Sequence, residues 1–118
     1  MQDGFLDVLY EGKLTIQEII NHGTAIANNS ELPGKLRILT DGRKASYQFM
    51  PDDMEQKMIG MLKMHLNHFE IIKNAFIYTT PIETAMSFIL EEQIPAERYL
   101  HRIFSSRQAA LNWLLQDD

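Results

Sequence analysis

No cysteine occurs anywhere in the 118 residues, which excludes a disulfide framework and a cysteine-ligated zinc site and fits a cytoplasmic protein. No apolar run approaches the roughly 20 residues that span a bilayer, so stable membrane insertion is not expected. The opening MQDGFLDVLYEG lacks a basic segment followed by an apolar core, and so does not read as a secretory signal. Positive charge is in deficit. Eleven Lys and Arg against 16 Asp and Glu leave a net charge of −5, which argues against general affinity for nucleic acid or anionic lipid. There is no low-complexity tract and no internal repeat. What is there, 45% hydrophobic and 23% charged residues, is the balance of a soluble globule. At this length folding removes roughly two-thirds of the unfolded surface from water, so a single domain over residues 1–118 with one core is expected.

Read along the chain, Leu6 to Tyr10 has the composition of a strand that Gly12 breaks. Thr15-Ile16-Gln17-Glu18 matches a capping box, so a helix starts here. Ile16, Ile19, Ile20, Gly23, Ile26 and Ala27 recur at three and four residues as its core-facing stripe, with Asn21, His22 and Asn28 outside it. Asn28-Asn29-Ser30 and Pro33-Gly34 end the helix. A second strand, Leu36 to Leu39, runs into Thr40-Asp41-Gly42 and a basic crest loop reaching Met50. Pro51, Asp52 and Asp53 suit the first turn of a second helix, to about His68, which carries Met54, Met58, Met61, His65 and Phe69 on one face. Ala75 to Thr79 reads as a strand covered on both faces. Thr80-Pro81-Ile82-Glu83 opens a third helix with a stripe of Ile82, Ala85, Met86 and Ile89, which Pro95 stops. A fourth strand is expected near Tyr99 to Phe104. Ser105-Ser106-Arg107-Gln108 caps a last helix whose apolar face holds Ala109, Ala110, Trp113 and Leu114. Four βα units in one α/β domain, with a mainly parallel four-stranded sheet and helices packed on it, follow from this alternation.

Gly12-Lys13-Leu14-Thr15, LRILTDGR at the second strand, NAFIYTTPIETAMSF across the third strand and helix, and IFSSRQAALNWLL at the end together resemble the small stand-alone proteins of the STAS superfamily. These are the anti-sigma-factor antagonists, sporulation-antagonist-like and related by name to CRAL-TRIO domains, here of uncharacterised bacterial type. The resemblance covers nearly the whole chain and implies a four-turn βα superhelix and a binding or regulatory role. Many relatives add an N-terminal strand, for which there is little room here. In the family a regulatory serine sits in an Asp-Ser-Ser/Gly-Gly-like motif at a helix start. Asp41-Gly42-Arg43-Lys44-Ala45-Ser46-Tyr47 does not reproduce it. Asp41 carries over by position and Ser46 only loosely, so the resemblance does not extend to a phosphoserine switch.

In an open α/β sheet ligands meet the chain beyond the carboxyl ends of the strands, which directs attention to Asp41, Arg43, Lys44, Ser46 and Tyr47, with Thr79 and Thr80 on the neighbouring turn. Asp41 there can orient a ligand, or serve its own turn. Arg43 and Lys44 suit an anionic group or a protein surface, or are simply solvated. Thr80 also reads as a helix cap. Met54, Met58 and Met61 suit one wall of an apolar pocket, or core filler. His65 and His68 lack a third ligand at recognisable spacing, so no metal is expected. No nucleophile, base and orienting group stand together. The expectation is therefore a non-catalytic binding module without cofactor, whose protein partner or small ligand meets the crest loop. A carrier of a small apolar or lipid molecule is the alternative, and an enzyme of unknown reaction the third. A homodimer through exposed sheet edges is a further option.

Overall fold

The structure is a computed structural model that describes residues 4–47, 57, 60, 68–77 and 98–116. Four parallel strands lie in sequential order, β1 (Leu6–Leu14), β2 (Lys35–Tyr47), β3 (Ile71–Ile77) and β4 (Tyr99–Phe104). Helix α1 (Ile16–Ala27) connects β1 to β2, and α2 (Arg107–Leu114) follows β4. Most of the helix expected after β2 and all of that expected after β3 lie outside the described residues, as do Pro51, Met54, Met58, Met61, His65, Thr79, Thr80 and Pro95.

The pleat sends alternate side chains to opposite faces, and each face has its own core. Leu36, Ile72 and Tyr99 stand in register across three strands and pack with Val8, Ile38, Phe69 and the α1 residue Ile19. On the reverse face Leu39 and Ala75 are opposite one another and pack with Ile77, Ala110 and Leu114 under α2. Because β3 is covered on both faces, Ile72 through Ala75 are all buried. That is why its sequence is nearly continuous in apolar character.

The helix start at Thr15 is as its sequence predicts. Glu18 N–H donates to Thr15 Oγ1 at 3.2 Å, and Thr15 N–H donates to Glu18 Oε1 at 3.1 Å; such a cap contributes about 1 kcal/mol. Asn28 closes the helix. The last helix differs by one residue. Ser106, not Ser105, is the cap and accepts from Ala109 N–H, so Gln108 falls one position short of a capping box and instead donates to Asn112. Ala109 is consequently exposed, and Leu111 takes its place beside the core.

Two strands are longer than expected. β2 does not end at Leu39, and Asp41 to Tyr47 is not a crest loop: the ladder with β1 continues as Glu11 with Lys44 through Leu14 with Tyr47. Gly12 does not break β1 either. Its φ of 76°, a conformation open to glycine at little cost, lets the strand pass through. Polar and basic residues alternate too weakly to announce a strand, but backbone pairing with a neighbour overrides such weak propensity. β3 likewise begins at Ile71, earlier than expected, because it pairs on both sides from its first residues.

Candidate functional site

β1 and β2 stay paired past the level of Ile77, the last described residue of β3, and the first feature of that stretch is a bulge. Leu9 is opposite Asp41 and Glu11 is opposite Lys44, so Tyr10 faces both Gly42 and Arg43. An extra residue in a strand leaves a backbone group outside the ladder. Asp41 supplies the missing acceptor: its Oδ1 takes the Arg43 backbone N–H at 3.1 Å. The same carboxylate holds the Arg43 guanidinium through Nε at 3.0 Å and Nη2 at 2.8 Å. Asp41 thus serves its own backbone, as its sequence position suggests, and in addition holds the side chain of Arg43.

A second pair of the same kind stands nearby. Arg107, at the first position of α2, donates to both oxygens of Asp7 on β1, at 3.3 and 2.8 Å. Hydrogen bonds from the Arg43 side chain, reinforced by its backbone N–H and by the charges of Arg43 and Arg107, hold the Asp41 carboxyl below its ordinary value. Asp41 and Arg43 in turn act on Arg107. The four groups therefore form one electrostatic cluster at the carboxyl edge of the sheet, two acids and two guanidiniums. Side-chain exposures are 42% for Arg43 over 13% for Asp41, and 43% for Arg107 beside 52% for Asp7, so the guanidinium is the outward group of the first pair and both members of the second are exposed.

Sequence reasoning finds Asp41 and Arg43 but misses Asp7 and Arg107. One signal points to Arg107. A cation in the first turn of a helix opposes the positive end of the helix dipole, so its presence there calls for a carboxylate partner from elsewhere. Lys44 and Ser46 are exposed strand residues opposite Glu11 and Lys13, and Tyr47 is opposite Leu14. Ser46 is thus in a strand and not at a helix start. Thr79, Thr80 and the methionine face lie outside the described residues, and His68 is exposed.

The opposite face of the sheet carries a buried polar string. Thr40 Oγ1 donates to Asn74 Oδ1 at 3.0 Å, and Asn74 Nδ2 donates to the Tyr99 hydroxyl at 3.4 Å. Burial pushes the Tyr99 hydroxyl well above its ordinary pKa. Phe76 and Tyr99 both contact the His101 ring. Further toward α1, the Tyr10 hydroxyl meets His22 Nδ1 at 3.0 Å, with the rings edge to face. His22 is accordingly half-buried against β1 and not on the outer side of the helix. Burial raises Tyr10 to a pKa of about 12 and lowers that of His22. We assign the hydroxyl as donor to a neutral ring protonated at Nε2, the arrangement that keeps both groups uncharged.

Acid stability follows from that assignment. A histidine whose folded value lies below 6.5 contributes stability that is complete above 6.5 and is lost as pH falls through the lowered folded value. The urea midpoint is expected to fall between pH 7.5 and pH 5.5, and His22→Gln to flatten that slope. An equal slope in the variant would place the proton uptake elsewhere. Asp41 does not interfere, since its contribution is lost only below its ordinary carboxylate range.

No family model matches the chain, and no curated protein matches it. Among solved structures, an uncharacterized protein from the DUF3478 family of Shewanella loihica, described as having a SpoIIAA-like fold, aligns with 97% of this chain and 87% of its own. The TM-score is 0.62 at 17% sequence identity. This chain has a SpoIIAA-like fold. In the SpoIIAA-like frame the sequential parallel sheet is the STAS architecture that the sequence resembles, and the Asp7, Asp41, Arg43 and Arg107 cluster stands at its carboxyl edge. Among the described residues no three His, Asp or Glu side chains converge as metal ligands, and no helix is long and apolar enough to cross a membrane.

Proposed function

We propose that the chain is a non-catalytic STAS-like binding module whose protein partner docks on the carboxyl-edge cluster of Asp41, Arg43, Asp7 and Arg107. Lys44 and Ser46, exposed on β2, extend this surface, and Tyr47, Thr79 and Thr80 are included from their place in the sequence. The observation that supports the reading is the pair of exposed guanidiniums, each held in a fixed orientation by two side-chain hydrogen bonds to a carboxylate. A guanidinium anchored in this way keeps donors free for a partner's carboxylate or backbone carbonyl, and pays little side-chain entropy when it binds. Fixed alternating charges confer orientation and partner choice more than raw affinity. On a chain of net charge −5 this charge-balanced cluster is a local relief from the prevailing negative charge.

Immobilised wild-type protein is expected to retain a partner from native extract that elutes as salt is raised. Arg43→Ala/Lys44→Ala and Arg107→Ala are each expected to lose most of it, because a partner spanning the cluster needs both anchors. Retention unchanged in both variants would exclude this surface.

A further inference from the structure

The outer edge of β1 is the other unusual surface. Its inner edge pairs with β2 on both sides of the bulge, and among the described residues no strand pairs with its outer edge. Asp7, Leu9, Glu11, Gly12 and Lys13 are all exposed, and Leu9 at 53% is the most exposed large apolar side chain described. Edge strands ordinarily repel a second strand by a bulge or a charge. Here the bulge is on β2, and the edge charges are of both signs.

We propose that a second copy of this chain docks antiparallel along β1, in the register centred on Tyr10, joining two sheets into one. Twofold antiparallel pairing places residues equidistant from its centre opposite each other on the same face. Centred on Tyr10, it sets Asp7 against Lys13 of the second copy, Leu6 against Leu14 and Leu9 against Glu11, each contact made twice. Centring on Leu9 sets Asp7 against Glu11, and centring on Glu11 sets Glu11 against itself, like charges in both cases. Centring between residues sets Asp7, Glu11 and Lys13 each against an uncharged residue, so no charge is paired. Centring on Gly12 sets Glu11 against Lys13 but overlaps only the last five residues of the strand, whereas the Tyr10 register pairs opposite charges and uses the whole of β1, of which Tyr10 is the midpoint. Asp7, although it holds Arg107 with both oxygens, retains lone pairs for an ammonium group, so Lys13 of the second copy extends that ion pair into a network. Leu9 loses its exposure at the seam.

Sedimentation velocity from micromolar to near-millimolar concentration tests this. Wild type is expected to pass from monomer to dimer. Lys13→Glu, a change at an exposed side chain, opposes Asp7 with a like charge and is expected to weaken the dimer about tenfold or more. Leu9→Lys opposes Glu11 with an opposite charge and is expected to tighten it, whereas Leu9→Glu is expected to weaken it. A dimer held only by the apolar patch would weaken in both Leu9 variants, and that result overturns the register. A wild-type protein that stays monomeric throughout overturns the proposal outright. Far-UV circular dichroism confirms that each variant is folded.

Discussion

Asn74→Ala is expected to cost about 3 kcal/mol, because it orphans two buried groups at once and each unsatisfied partner costs about 1–3 kcal/mol. Thr40 Oγ1 loses its acceptor and the Tyr99 hydroxyl loses its donor. Both residues are buried, with exposures of 4% and 5%, so water does not replace Asn74 cheaply. The sharper form of the test removes the polar string entirely. Asn74→Leu with Thr40→Val and Tyr99→Phe leaves no orphan, and is expected to recover most of the loss. Urea unfolding with an unchanged slope measures both. If Asn74→Ala lowers the midpoint only slightly while the triple variant lowers it more, the string stabilises through packing and the hydrogen bonds are incidental.

The second large effect is expected at Lys73, a buried cation in β3. Its ammonium group donates to the carbonyl of Trp113 at 2.7 Å and to that of Gln116 at 3.4 Å, and lies 4.6 Å from the centre of the Trp113 ring. Arg37, its register neighbour on β2, also donates to Gln116 O, at 3.4 Å. These carbonyls end α2, where the helix presents its negative pole and its unpaired acceptors. Lys73 therefore fastens the last helix to the sheet through charge, hydrogen bonds and ring contact together. Lys73→Met keeps the apolar stem and removes the charge, and is expected to cost about 2–3 kcal/mol. The chain has one tryptophan, so fluorescence reports this place alone. Trp113 emission should change in the folded variant, and Arg37→Met should cost less because its residue is more exposed. An unaltered Trp113 spectrum with unaltered stability would mean that α2 is held by Ala110 and Leu114 alone.

Both effects concern residues whose roles are hidden in the linear chain. Lys73 and Asn74 look like a polar interruption between Ile72 and Ala75, and that interruption is why the sequence suggests a strand starting only at Ala75. In the fold they are buried on opposite faces, each satisfied by groups far away in sequence. The acid cluster behaves similarly. Asp41 and Arg43 are two residues apart and their link is local, so the sequence points to them. Asp7 and Arg107 are a hundred residues apart, and no periodicity records their meeting.

The sequence by itself determined the features that depend on neighbours along the chain. Thr15 and Glu18 form their capping box because the donors and acceptors are within one turn. The Ile16, Ile19 and Ile26 stripe faces the sheet because 3.6 residues complete a turn, and Tyr99 to Phe104 is a strand with the bounds expected of it. The parallel sheet of a SpoIIAA-like fold follows from the alternation of such elements. Only the tertiary structure decided where β2 ends, that Gly12 lies within a strand, that His22 turns inward to Tyr10, and that the carboxyl edge carries two ion pairs. Each of these is settled by a partner brought near by folding. Backbone pairing and charge neutralisation depend on distance in space, and local composition carries no record of it.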